Sequence, residues 1–195
     1  MKQIIIAAFV GGAVYFVWQM LTWMMIPIHG PTVASLPDEE MIRDALVEQE
    51  IDSGVYIVPY GNDDENMMDP ESEFVQRHRA GPIFSIFYHK GGLEPMSGSV
   101  LGLGFLTDFL GTAIVASMLC CAVGGRCRSY LQRVGFVTGF GVFLALMGHV
   151  AYYNWMHFDG FYTAMFVVDV VVGWFLVGLV IAAVVRPPRE TAPAD

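Results

Sequence analysis

Charge is scarce in this sequence. Of 195 residues only 15% are Asp, Glu, Lys or Arg, while 55% are hydrophobic and the mean hydropathy is +0.52. That excludes the balance of a soluble globular domain and puts the chain in the membrane class. Basic residues are scarcer still, ten Lys and Arg against nineteen Asp and Glu, which argues against a nucleic-acid partner and against docking on an anionic bilayer surface. The three cysteines, Cys120, Cys121 and Cys127, have neither a redox C-x-x-C nor a zinc-ligand spacing, so they are expected to stay reduced and to pack as small apolar groups. There is no G-x-S-x-G, no H-E-x-x-H and no P-loop. No cofactor is therefore expected from motifs.

What is present in quantity is long apolar runs. Four stretches, at 4–26, 99–123, 134–156 and 161–185, suffice to cross a hydrocarbon core of about 30 Å at about 20 helical residues each. The first is too long for the apolar core of a signal peptide, so an uncleaved anchor is expected. The expected organisation is a first transmembrane helix in 1–27, an acidic segment 28–98, a second helix in 99–124, a basic loop 125–133, a third helix in 134–157, a turn 158–160, a fourth helix in 161–185 and a tail 186–195. Lys2, Arg126, Arg128, Arg133, Arg186 and Arg189 all fall on one side if the chain crosses alternately, which predicts cytoplasmic termini and an extracytoplasmic 28–98. The layout is like that of small proteins of the bacterial inner membrane.

The acidic segment holds fourteen Asp and Glu against four Lys and Arg. "SLPDEEMIRDALVEQE" reads as an amphipathic helix started by Ser35 or Asp38, with Met41, Ile42, Ala45 and Leu46 as its apolar stripe. "GVYIVPYG" and "GPIFSIFYHKGG" read as strands that pair, "ESEFVQRHRA" as a second short helix, and the acidic stretch between as a mobile loop. These form a small α+β cap. The acidic run lacks the register of an EF-hand, and the Met and His residues around it, among them His29, His78 and His89, form no tight repeat for a soft metal.

The strongest signal lies inside the apolar runs. His149 and Asp169 are each ten residues from Asp159, in the turn between the third and fourth runs. At 1.5 Å per residue both lie about 15 Å deep, near the midplane. Asp108 reaches the same level ten residues after Gly98, and Gln19 comes eight residues before Pro27. A charged side chain facing lipid there costs at least about 2.5–3.5 kcal/mol, so Gln19, Asp108, His149 and Asp169 are expected to turn inward as one polar cluster, with Asp169 hydrogen-bonded to His149. Tyr15, Thr112, Tyr152 and His157 are secondary members. Gly12, Gly104, Gly111, Gly141, Gly148 and Gly173 fall on the same faces and permit close helix approach. The expected fold is a membrane all-α four-helix bundle. Two carboxylates and an imidazole in such a layer cannot all be charged at low cost, so at least one shared proton is expected.

Three functions fit this pattern. The first is an accessory or oligomeric component of a membrane complex, with the cluster fixing helix register. The alternative is a proton- or cation-coupled transporter or channel subunit. The second alternative is a metal- or haem-dependent membrane enzyme, with Asp108, His149 and Asp169 as weak metal candidates and His149 without a second histidine at its depth for a haem. The expected partners are the lipid bilayer and either a homo-oligomer or a larger complex, and an enzyme is the less favoured class.

Overall fold

The computed structural model describes residues 1–62, 65–123, 127 and 129–187. Its four long helices are α1 (Lys2–Met24), α4 (Gly98–Ala122), a third that joins α5 (Tyr130–Leu144), a π-helical turn (Ala145–Val150) and α6 (Ala151–Met156), and α7 (Gly160–Val184). Each is long and apolar enough to cross a membrane. Between α1 and α4 come α2 (Glu39–Glu48), β1 (Gly54–Val58), α3 (Glu73–Ala80) and β2 (Phe84–Tyr88). The chain divides into two units, 1–34 with 95–195, and 35–94.

Local chemistry explains where the long helices begin. Ser97 caps α4 through the Val100 amide, and Asp159 caps α7 through the Tyr162 amide. Ser129 and Gln132 form a reciprocal capping box at the start of α5. That box corrects one boundary: the third helix starts at Tyr130, so Tyr130–Arg133 is helix and not loop. Arg126, Arg128, Arg189 and most of the 186–195 tail lie outside the described residues.

The helices of the first unit alternate in direction. Thr112 donates to the Ala8 carbonyl, Trp18 to the Asp169 carbonyl, and Arg133 to the Ala182 carbonyl, pairings that run antiparallel in each case. α1 lies between α4 and α7, α7 packs on α5, and α4 meets α5 only briefly. Ala7, Val115, Leu119, Val137, Val177 and Ile181 fill the centre. Outward-facing Phe9, Leu103, Leu110, Ile114, Phe143 and Met147 stay exposed, as lipid-facing side chains would be.

Glycine sets the closest approaches. A Cβ on Gly141 would stand 2.5 Å from the Trp174 Cβ, one on Gly173 2.6 Å from Tyr15, and one on Gly12 3.0 Å from the Phe109 backbone. Gly111 and Gly148 behave otherwise: Gly111 has nothing within 4 Å, and Gly148 only Leu144 of its own helix. Close packing therefore belongs to the α1–α4, α1–α7 and α5–α7 contacts, and α4 stands off from the third helix. Of the cysteines, Cys127 is buried as a packing role requires, while Cys121 is exposed.

In the second unit β1 and β2 pair antiparallel, from Gly54 opposite Tyr88 to Val58 opposite Phe84. Asp38 caps α2 and Ser72 caps α3. The expected apolar stripe of α2 is not covered, since Met41 is 59% and Ile42 39% exposed. The acidic stretch expected as a mobile loop consists, in its described part, of hydrogen-bonded turns: Glu65 accepts from the Asn62 amide and pairs with Arg77. Asp63 and Asp64 lie outside the described residues.

Candidate functional site

Asp169 lies on α7 nine residues past its first residue and is only 6% exposed. Its Oδ2 is 3.1 Å from Nε2 of His29, which is completely buried. The sequence reading had paired Asp169 with His149, and the correction has a directional cause. Helical side chains lean toward their own N-terminus. α7 begins at the Asp159 turn and the third helix ends there, so Asp169 leans toward that turn and His149 leans away from it. Equal depth of the backbone does not bring the two side chains together.

His29 takes the place beside Asp169 because the chain after α1 folds back. The Ile26 amide still donates to Leu21, and Thr32 donates its hydroxyl to the His29 carbonyl, at the 3-10 turn Gly30–Thr32. The His29 ring is stacked on Trp23 at 4.4 Å and tilted on Phe166 at 4.5 Å. Phe166, one turn before Asp169, also stacks on His149 at 5.1 Å. One signal for this was in the sequence: in "MMIPIHGP" the apolar run continues past Pro27 to Ile28, and His29 follows at once, before Gly30 and Pro31.

Asp108, 8% exposed, accepts a long 3.4 Å hydrogen bond on Oδ1 from Gln19. Thr112 is spent on the backbone, donating to the carbonyls of Ala8 and Asp108, each at 2.8 Å. The two carboxylates share one more property. Oδ2 of Asp108 and Oδ1 of Asp169 are buried and have no hydrogen-bond partner, as is also true of Nδ1 of His29.

Asp108 and Asp169 line one cleft of about 390 Å³, together with Gln19 and His149 and walled by aromatic rings. All four long helices contribute to it. Thr107 and Gly111 on α4 and Leu144 and His149 of the third helix are among its lining. His149 lies within the π-helical turn, a local widening that recurs at functional sites.

Gln19, Asp108, His149 and Asp169 therefore meet around one cleft, with Tyr15 and Thr112 among its lining. Two secondary residues do not join it. Tyr152 is 53% exposed and packs on Phe158, and His157 ends α6 in a left-handed conformation at φ 55°. Both lie where the helix runs out to the turn, beyond the level of the cleft. Among the described residues no three His, Cys, Asp or Glu side chains converge to hold a metal ion.

No protein-family model, curated protein or solved structure matches the chain.

Proposed function

We propose that this chain is a four-span integral membrane protein that binds and passes protons or small cations, with Asp108 and Asp169 as the binding groups. The observation that carries this reading is the pair of buried carboxylates, each with one oxygen unpartnered and both lining one cleft. A buried acceptor left without a partner costs about 1–3 kcal/mol. A cluster serving only as glue gains by using every oxygen it buries; this one leaves two without a partner on residues that border a cleft.

In this reading the termini are cytoplasmic, residues 28–98 extracytoplasmic and the membrane a bacterial inner membrane. The distribution of Lys2, Arg133 and Arg186 at one end of the helices supports that orientation. Asn62→Cys should be reached by an impermeant thiol reagent on intact cells; labelling only after lysis reverses the topology.

The flux test uses reconstituted protein. Proteoliposomes carrying the wild type should dissipate an imposed pH gradient, and Asp169→Asn should fold, keep the His29 hydrogen bond and lose the flux, because an amide does not exchange the proton. Equal flux in both would remove the reading.

One observation favours a second reading, that of a component of an oligomer or larger complex. Gly111 and Gly148 meet no neighbouring helix beside the cleft, which suits closure by a partner helix. Purification in mild detergent would then bring that partner along.

A further inference from the structure

We propose that the cleft takes an organic ammonium ion, held between the Asp108 and Asp169 carboxylates and aromatic faces. The proposal rests on the reading of those two carboxylates as cation-binding groups and names the kind of cation. Three features select it. The volume, about 390 Å³, falls in the range of small-molecule pockets, about 300–1,000 Å³, and far exceeds what a bare metal ion fills. The polar groups are too few to replace the water of a hard divalent ion: such a cation demands about six oxygens converging on one point, whereas here two aspartates border the cleft and, among the described residues, no three ligating side chains converge.

The walls supply the rest. Tyr15, Trp23 and Trp174 line the same cleft, and a ring face attracts an alkylammonium that has little water around it. An ammonium carries its charge on a body whose alkyl groups tolerate an apolar lining, so it satisfies the carboxylates without the hydration shell a metal would keep. Gly111 lines the cleft and a Cβ there would meet nothing within 4 Å, which in this reading leaves such a molecule a way in between α4 and the third helix. The same chemistry is found in a free amine and in the ammonium headgroup of a phospholipid, and the test separates them.

The probe is benzyltrimethylammonium, titrated calorimetrically into the full chain in phospholipid-free detergent. Saturable one-site binding is expected, weakened about tenfold or more in Asp108→Asn and abolished in Gly111→Phe, which fills the mouth from a position with no neighbour to displace. Circular dichroism and thermal unfolding establish that both variants are folded. Repeating the titration in nanodiscs identifies the source: weaker binding in phosphatidylcholine than in phosphatidylglycerol marks the headgroup as occupant, and equal binding marks the free amine.

No saturable binding, or binding unchanged in Asp108→Asn and Gly111→Phe, overturns the proposal. In that event the proteoliposome flux decides what else falls. Flux in the wild type that is lost in Asp108→Asn leaves the proton or inorganic-cation reading standing without the ammonium. The loss of both removes the two together.

Discussion

Arg133 and Asp169 are buried to the same extent, each 6% exposed, the first in the opening turn of α5 and the second nine residues past the start of α7, and their surroundings differ. At the Arg133 end, charge closes the structure. Arg133 donates from Nε to the Ala182 carbonyl at 3.1 Å, Tyr130 donates to Leu179 at 2.9 Å, and Arg186 donates to Ala183. Ala182 and Ala183 lie in the last turn of α7, where carbonyls lack helical partners and the helix dipole favours a cation. Around Asp169 the helices border a cleft, and one oxygen each of Asp108 and Asp169 has no hydrogen-bond partner. The contrast teaches how to tell a buried charge that holds a fold from one available to a ligand: burial is the same, and the difference lies in which atoms are already spent.

Substitutions should break this comparison cleanly. The largest effect falls at the closed end. Arg133→Ala removes a charged donor and strands the Ala182 carbonyl, and should destabilise by about 3 kcal/mol in a reversible unfolding titration, with flux per folded molecule unchanged. A loss of flux without a loss of stability would show that the closed end is not merely structural.

Next come the glycines. Gly141→Ala drives a methyl into Trp174, 2.5 Å away, and should cost about 2 kcal/mol. Gly111→Ala meets nothing within 4 Å and should stay within about 0.5 kcal/mol of wild type. Equal costs at the two positions would mean that α4 and the third helix are packed together and the cleft is closed.

Smaller than the Arg133 and Gly141 effects are those at the cleft. Asp169→Leu strands Nε2 of His29 and should destabilise by about 1–2 kcal/mol, whereas Asp169→Asn retains an acceptor and should be nearly neutral. His29→Ala should resemble Asp169→Leu, and His149→Ala should not, because His29 is the hydrogen-bond partner. If His149→Ala proved the costlier of the two, His149 and not His29 would be the partner of Asp169.

Much of this architecture was legible in the residues. Apolar run length gave the four helices, and "GVYIVPYG" with "GPIFSIFYHKGG" gave the paired strands. The common level of Gln19, Asp108, His149 and Asp169 gave the lining of one cleft. The pairing inside it was not legible. Counting residues from a turn locates backbone depth, but the hydrogen bond depends on which way each side chain leans and on the phase shift introduced by the π-helical turn at 145–150. His29 is hidden for a different reason: it lies beyond Pro27, past the end of the apolar run that marks the span, and only the fold-back of 25–34 returns it to the interior. Glycines had a similar ambiguity, since Gly141 and Gly111 look alike in sequence and one is crowded while the other is open.

An acidic cleft that admits cations should sort thiol reagents by charge, and a cysteine beside its carboxylates reads that sorting. Gly111→Cys, with Cys120, Cys121 and Cys127 replaced by alanine, leaves both Asp108 and Asp169 in place and puts a thiol where nothing stands within 4 Å. The account predicts that the cationic reagent aminoethyl methanethiosulfonate labels this cysteine much faster than the anionic sulfonatoethyl reagent, that benzyltrimethylammonium slows the labelling, and that Asp108→Asn with Asp169→Asn removes the preference. Equal rates for the two reagents with both aspartates present, or faster reaction with the anion, would contradict it.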